Sequence, residues 1–301
     1  MLSRFVGLSR RLSTLPKPEE AIEFLSEVTG GAKGLPRASI VQSMAGNNLT
    51  KMYLRTACPG FFDALDTDVP KGAIAGLEIL PAALSSDEFM VILNQCAEKK
   101  FFDEYKNAVS VLNGLFSWKL DRIKQARVDG IHTVIGAQRG DSMKGKQFME
   151  FFGQHLVVSP EFANAIRIQS FSERASKSLP FLFADGAVVR ARVLVTVDQT
   201  VTLPTVSESG DLEAGKPESV KDLEHLVTLE ISLTPRIGKK QMLAADSLLE
   251  LTAEDPMTAG EWYIADVNFS LSDNYPLDPP TPEDSTEKPE DSKKPDDQNR
   301  P

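Results

Sequence analysis

The sequence predicts an α+β protein, in which a helical first half is followed by a largely antiparallel sheet. Apolar residues recur at steps of three and four along the first half, as on one face of a helix. In the second half they recur at steps of two, as on one face of a strand. The predicted strands follow one another without the intervening helices of a parallel sheet. One curved sheet with helices on its inner face would bury both sets of apolar residues in one core.

Two amphipathic helices are predicted in the first half. Ser85-x-x-Glu88 has the form of a capping box, so a helix is expected to begin there, with Phe89 and Leu93 on its apolar face. A longer helix is predicted downstream, with a break near Gly114. Its apolar positions are Phe102, Tyr105, Val109, Leu112, Phe116, Leu120 and Ile123. We interpret both apolar faces as core packing.

Strands are predicted after Pro160, where the period falls to two. Ile166 and Ile168 begin a short strand, and residues 184–186 form a turn before four longer strands. Apolar positions of the four are Val189, Ala191, Val193, Val195 and Val197; His225, Val227, Leu229, Ile231 and Leu233; Leu243, Ala245, Leu249 and Leu251; Tyr263, Ala265, Val267, Phe269 and Leu271. Polar residues on the opposite faces include Arg190, Arg192, Thr196, Asp198, Thr228, Glu230 and Ser232.

The chain is predicted to contain four segments: a targeting segment at 1–15, a helical or extended region at 16–60, a folded α+β unit at 61–271 and a tail at 272–301. Proline, acids and lysines dominate the tail, which cannot bury enough apolar surface to offset the entropy of ordering. We therefore expect a disordered acidic tail. A similar polar stretch at 204–222 predicts a long mobile surface loop.

The first 18 residues have the composition of a mitochondrial transit peptide, with several serines and no acid before Glu19. Their basic residues are Arg4, Arg10, Arg11 and Lys17. A helix here would place Phe5, Leu8, Leu12 and Leu15 on one face beside the arginines. Residues 10–13 also resemble a matrix-protease cleavage site. We expect localisation to the mitochondrial matrix, and the alternative is a flexible basic amino terminus.

Composition excludes several classes of protein. The net charge is -10, and it becomes -13 if residues 1–12 with their three arginines are removed. Such an acidic chain is not expected to bind nucleic acid, because phosphate-binding proteins usually carry a basic stripe. Cys58 and Cys96 are too few for a disulfide framework or a zinc site, so we interpret both as reduced thiols. No window reaches the roughly 18 consecutive apolar residues that a membrane-spanning helix needs.

Motifs that would indicate an enzyme are lacking in the sequence. The histidines, His132, His155 and His225, lie far apart, and none has cysteine or carboxylate neighbours at metal-ligand spacing. Gly140, Gly145 and Lys146 come nearest to a phosphate loop, but Gln147 follows where Ser or Thr should bind magnesium. We therefore predict no catalytic residue, no cofactor and no metal.

Three carboxylates on predicted strands could still act as a general base if they faced a closed cavity. They are Asp198, Glu230 and Glu250. Each shares its face with Thr, Ser or Arg, so we interpret all three as solvated. Asp198 is expected to pair with Arg190 or Arg192 across strands.

Short motifs at both ends of the folded unit resemble one protein family. Val69-Pro70-Lys71-Gly72-Ala73, followed by Leu84-Ser85 and Phe89, resembles the opening of the domain shared by the forty-four-kilodalton subunit of the mitochondrial inner-membrane import translocase and its relatives. Segments 240–245 (KQMLAA) and 262–265 (WYIA) resemble the last two strands of a family member that interacts with the m-AAA protease. The resemblance spans roughly residues 61–271.

The resemblance implies a fold like that of nuclear transport factor two, which is a cone of bent antiparallel sheet wrapped over helices. It also implies an m-AAA protease partner and a role in maturing a small subunit of the calcium uniporter. Two features depart from the family pattern: Pro81 interrupts the first helix, and residues 128–158 are interpreted as an insertion. Gly72 and Ala73 are expected to let a helix approach the sheet closely, and Trp262 is interpreted as a packing residue.

The function expected from these observations is that of a matrix adaptor or chaperone-like protein. It would bind newly imported inner-membrane proteins, or the m-AAA protease that matures them, through an apolar pocket or a sheet edge. Peripheral contact with inner-membrane lipid is left open. The first alternative is a structural subunit of the mitochondrial ribosome or of a respiratory complex. The second is a cone-fold enzyme.

Overall fold

A computed structural model describes residues 15–32, 40–62, 65–141, 146–151, 154–158, 184–238 and 256–271. Within these ranges six helices lead into a seven-stranded, mostly antiparallel sheet, so the predicted α+β class is confirmed. The strands predicted at 166–168 and 243–251, Glu250, the tail and the targeting segment before Leu15 lie outside the described residues.

Six described helices precede the first strand of the sheet. They are α1 (Pro18–Thr29), α2 (Ile40–Ala57), α3 (Pro59–Phe62), α4 (Leu65–Ala83), α5 (Asp87–Cys96) and α6 (Lys99–Val111). The strands are β1 (Ser117–Ile135), β2 (Gln147–Phe151), β3 (Gln154–Val158), β4 (Ala187–Thr202), β5 (Thr205–Val206), β6 (Leu212–Glu213), β7 (Glu218–Pro235), β8 (Met257–Ala259) and β9 (Tyr263–Val267).

The sheet has the order β2-β3-β1-β4-β7-β8, and β9 also pairs with β7. Adjacent strands are antiparallel, except that β1 and β3 run parallel. The register of β1 against β4 shifts at three places, the last between Val128 and Gly130. Each such irregularity bends the strand and increases its twist.

The inner face of β4 and β7 is the centre of the core. Val189, Val193 and Val197 on β4 are fully buried with Val227 and Leu229 on β7, as the alternation predicts. Helix α4 packs against β1, β4 and β7, and α2 packs against β1. Apolar residues of both layers thereby form one continuous cluster.

The predicted long helix after Phe102 ends earlier than its apolar periodicity indicates. Helix α6 stops at Val111, and Gly114 follows with φ at +80°. Such a φ favours glycine and breaks the helix. Leu120 and Ile123 therefore belong to β1. The apolar residues spaced by three and four between 102 and 123 therefore begin in a helix and end in a strand whose register against β4 is irregular.

Residues 128–158 do not lie between the helices and the sheet as predicted, because strands in this stretch belong to the sheet itself. Strand β1 continues to Ile135 and pairs with β4 over nearly its whole length. Strands β2 and β3 pair antiparallel at the edge of the same sheet. The number of glycines in this stretch led to the wrong placement. Gly136 marks a turn, with φ at +85°.

Two helix boundaries also differ from the prediction. Ser86, not Ser85, caps α5: its hydroxyl accepts a hydrogen bond from the backbone N–H of Glu88, at 3.2 Å. Ser85 Oγ instead donates to the carbonyl of Ala82. Pro81 does not interrupt α4, which includes it and ends two residues later at Ala83.

Glycines let α4 lie close to the sheet, as the sequence predicts for Gly72. A β-carbon added at Gly72 would lie 3.5 Å from Cδ1 of Leu229 on β7. The approach is closer one turn later, at Gly76, where an added β-carbon would lie 3.0 Å from Cγ1 of Ile264 on β9. Trp262, just before β9, packs partly buried against the same core.

The predicted boundary at residue 60 does not separate two units. Phe24, Leu25 and Val28 of α1 are buried in the main core, and the ring of Phe24 lies 6.4 Å from that of Phe101 on α6. Leu54 of α2 is fully buried there as well. Both helices therefore belong to the α+β unit, because their apolar faces complete its core.

Two segments of the second half also differ in detail. The predicted loop at 204–222 contains the short hairpin β5–β6, and its last five residues begin β7. The last predicted strand ends at Val267, because Asn268 and Phe269 adopt positive φ values of 55° and 56°. Ile264, not Tyr263, points into the core, since a register shift interrupts the pairing of β7 with β9.

A buried polar network joins α1 to the sheet through His225. Nδ2 of Asn268 donates to the carbonyl of Val28 at 2.8 Å and to Nδ1 of His225 at 2.9 Å. His225 Nδ1 is therefore the acceptor, so Nε2 carries the proton and donates to Oε1 of Gln199 at 2.8 Å. Gln199 Nε2 donates to the carbonyl of Thr29 at 2.7 Å. Two of the orphan carbonyls at the end of α1 are satisfied in this way.

Gly76→Val is expected to destabilise the protein by about 1 to 3 kcal/mol, because the added carbons would overlap Ile264. Gly72→Ala is the matched control on the same helix, and we expect it to be stabilising by up to about 1 kcal/mol through helix propensity. Urea unfolding followed by far-ultraviolet circular dichroism measures both. Equal stability of the two variants would contradict the close approach of α4 to β9.

Acid is expected to destabilise the fold through His225. Burial lowers the pKa of His225 to about 4, whereas a histidine in the unfolded chain titrates near about 6.5. The unfolded state therefore binds more protons between these values, so the stabilisation is complete above pH ~6.5 and is lost as the pH falls towards ~4. Between about pH 7 and 5 we expect urea unfolding of the wild type to lose about 2 kcal/mol that His225→Gln does not lose. Parallel losses in both proteins would exclude this role of His225.

Candidate functional site

Helix α5 exposes a run of large apolar side chains. Its inner side is anchored by Leu93, which is fully buried, and by Met90, which packs partly against the core. On the other sides Phe89 is 41% exposed, Val91 58% and Ile92 38%. The interpretation of Phe89 as a core residue is therefore wrong. We name Phe89, Val91 and Ile92 the α5 apolar face.

Charged and aromatic residues border the α5 apolar face. Asp87 and Glu88 begin the helix and are exposed, and Lys99 follows its end. Tyr263 is also exposed. It lies next to the end of α5, because Ala97 forms a β-bridge with Ile264, the residue after Tyr263 on β9. An apolar centre with a polar rim and a nearby tyrosine is the usual composition of a protein-binding surface.

The outer face of the sheet carries a buried ion-pair cluster around Glu230. Arg190 lies directly opposite Glu230 in the register of β4 with β7, and its Nε donates to Oε2 at 2.8 Å. Arg139, which follows β1, donates to the same carboxylate from Nη2 at 2.8 Å and also pairs with Glu98 at 3.5 Å. Burial opposes ionisation, but these hydrogen bonds and charges outweigh it and hold the pKa of Glu230 below its usual range. The interpretation of Glu230 as solvated is wrong.

The sequence predicts that Asp198 pairs with Arg190 or Arg192, but it pairs with neither. All three lie on β4, and Asp198 is six positions along the strand from Arg192, a distance of about 20 Å. Asp198 instead pairs with Lys124 of β1, whose Nζ lies 2.6 Å from Oδ1. The hydrogen bond from Lys124 lowers the pKa of Asp198. Arg192 pairs more loosely with Asp129, at 3.7 Å.

Asp266 on β9 is a buried carboxyl group that sequence reasoning did not single out. Its Oδ1 accepts hydrogen bonds from the backbone N–H of Val267 at 2.7 Å, the hydroxyl of Ser270 at 2.9 Å and the N–H of Leu271 at 3.3 Å. These bonds close the turn whose residues 268–269 have positive φ. Burial nevertheless raises the pKa of Asp266 to about 7. The carboxyl group holds a turn, and the sequence signal for it was an Asp two positions before Asn268 and four before Ser270.

The histidines and cysteines lie in separate places. His132 is on β1 at the outer face, His155 is on β3 and His225 is buried beneath α1. Cys58 is buried and Cys96 is half-buried, and neither forms a disulfide bond. The structure therefore does not bring the histidines together.

Asp266→Asn is expected to stabilise the protein at about pH 8 by on the order of 2 kcal/mol, since the amide oxygen can still accept the turn hydrogen bonds without a buried charge. The folded pKa is raised above the unfolded value, so the destabilisation is complete above pH ~7 and disappears as the pH falls towards ~4. Urea unfolding at several pH values measures the gain. Asp66→Asn, at an exposed ion pair, is the control. A gain that does not change with pH would contradict the assignment.

Three further findings bear on the class of protein. None of the described helices combines the length and the apolar character required to span a membrane. Among the described residues, no group of three His, Cys, Asp or Glu side chains could hold a metal ion. The chain matches no protein-family model, no curated protein and no solved structure.

Proposed function

We propose that the chain is a mitochondrial matrix adaptor or chaperone-like protein. It binds newly imported inner-membrane polypeptides, or the m-AAA protease that matures them, and so supports maturation of a small calcium-uniporter subunit. The α5 apolar face is the observation that carries this proposal. Exposed contiguous apolar surface with a charged rim is typical of interaction sites.

The energetics favour binding at this surface. Full burial of a large apolar side chain contributes about 1.5 to 3 kcal/mol, and each of Phe89, Val91 and Ile92 is about half exposed. Covering the three would therefore contribute roughly 1 kcal/mol each. An apolar helix of an inner-membrane precursor fits this chemistry, because its side chains can pack against α5 as in helix-in-groove recognition.

Two further features support the location and the partner. The first 18 residues have the composition of a matrix-targeting segment, and the short motifs near residues 69–89 and 262–265 resemble the import-translocase domain family. The bulged, bent sheet with helices on one side is consistent with the cone that this family would have. We include that cone shape in the proposal.

A photo-crosslinking amino acid at Ile92 in the full chain tests the proposal in isolated mitochondria. We expect crosslinks to m-AAA protease subunits or to inner-membrane precursors arrested during import. Met52 on α2, which is 66% exposed, is the matched control position and should give neither product. Phe89→Ser, placed in the crosslinking chain, should reduce the yield about fivefold, because roughly 1 kcal/mol of apolar contact is lost.

The outcomes distinguish the alternatives. Crosslinks at Ile92 to ribosomal or respiratory-complex subunits, with the protein sedimenting in a heavy particle, would replace the adaptor by a structural subunit. Equal products from Ile92 and Met52 would show that the α5 apolar face has no special role. Retention of the full chain outside the matrix would exclude the proposed location.

A further inference from the structure

Negative charge without a partner lies at the start of the α5 apolar face. Asp87 and Glu88, in the first turn of α5, are exposed, and neither forms an ion pair with a residue that the structure describes. Past the other end of the helix, Nζ of Lys99 lies 2.8 Å from Oδ2 of Asp103, so the charge of Lys99 already has a partner. The charge that a binding partner could match is therefore at the start of α5, and it is negative.

The two carboxylates exceed what the helix itself requires. The hydroxyl of Ser86 already caps α5 by accepting a hydrogen bond from the backbone N–H of Glu88, at 3.2 Å. The aligned peptide dipoles place about half a positive charge at the start of a helix, so Asp87 and Glu88 leave a net negative charge of about 1.5 there. This charge is available to a partner that covers the α5 apolar face.

Glu88 lies directly beside the apolar side chains. Residues three and four positions apart are neighbours on the surface of a helix, so Glu88 adjoins Val91 and Ile92. Gln95 follows Ile92 by three positions and is exposed and uncharged. The solvent-facing side of α5 thus leads from a carboxylate past two apolar side chains to a neutral amide, over about 10 Å.

We propose that the α5 apolar face selects apolar helical segments that carry a lysine or arginine one turn beyond their apolar residues. This inference rests on the proposed function and names the class of segment that the face binds. The apolar side chains of the bound segment cover Val91 and Ile92, and its cation lies against Asp87 or Glu88. A segment that carries an acid at the same place brings like charges together and is rejected.

Inner-membrane proteins supply segments of this class. Loops next to membrane-spanning helices are enriched in lysine and arginine on one side of the membrane, so a cation often directly follows the apolar residues. The chain as a whole has a net charge of -10, which attracts such a segment from a distance. Short-range pairing at Asp87 and Glu88 then adds the preference for a cation at one end.

Competition between two peptides for the purified full chain tests the selection. The chain carries an apolar diazirine amino acid at Ile92, and the peptides share one apolar helical sequence followed by two lysines or by two glutamines. Both peptides are present in equal amounts, so the ratio of their crosslinked products, measured by mass spectrometry, reports the ratio of affinities even when binding is weak. We expect about fivefold more product with the lysine peptide at low salt. The ratio should approach one at about 1 M salt, where charges more than roughly 3 Å apart are screened.

Charge variants locate the origin of the preference. Asp87→Asn combined with Glu88→Gln should bring the ratio to about one. Glu208→Gln combined with Glu213→Gln is the matched control, because it removes the same charge from exposed carboxylates of the β5–β6 hairpin and should keep the wild-type ratio. Circular dichroism checks the fold of each variant. If the first double variant does not fold, Glu88→Gln alone should at least halve the ratio.

The outcomes separate this inference from the proposed function. Equal products from the two peptides with the wild-type chain would overturn the selection and leave the α5 apolar face as a binding surface. No product with either peptide would overturn this inference together with the proposed function. A lysine preference that survives in the Asp87→Asn, Glu88→Gln chain, or that is lost in the Glu208→Gln, Glu213→Gln chain, would assign it to overall charge and would also overturn the selection.

Discussion

The fold depends on covering one long aliphatic surface. Strands β4 and β7 are paired from Ala187 with Leu233 to Val201 with Glu218, and their inner side chains are almost all valine, leucine, isoleucine or alanine. This ribbon could not remain exposed to water, because each fully buried large side chain contributes about 1.5 to 3 kcal/mol. Helix α4 covers it closely through Gly72 and Gly76, and α1, α2 and α6 close the remaining sides.

Sequence reasoning recovered this ribbon because the strands obey a strict period of two. Alternate residues from Val189 to Val197 and from Val227 to Leu233 lie on the inner face as expected. The prediction failed where the apolar residues of a strand also fit the spacing of a helix. The sequence between Phe116 and Ile123 fits helical steps, but Asn113 and Gly114 adopt positive φ values just after α6 ends. Glycine content also led to the wrong placement of residues 128–158 outside the sheet, since glycine is as compatible with a bulged strand as with a loop.

The candidate sites were less predictable than the fold. Phe89 to Leu93 are five consecutive apolar residues, more than one helical face can bury, yet which of them are exposed depends on how α5 docks. Likewise, alternation correctly places Glu230 and Arg192 on the outer face, but it cannot show that this face is buried. Pairing of Glu230 with Arg139 joins residues 91 apart in the sequence, a contact that no local pattern encodes.

The network around His225 ties the carbonyl of Thr29 to Gln199 on β4 and the carbonyl of Val28 to Asn268, which directly follows β9 and is 240 positions away from Val28. A chain that enters a compartment amino terminus first would bring in α1 long before Asn268 emerges. Until then the carbonyl of Val28 has no lasting partner, and the core beneath α1 stays open. Completion of the native state is therefore coupled to arrival of the whole unit, which leaves an interval for unfoldases or holding factors to act on the incomplete chain.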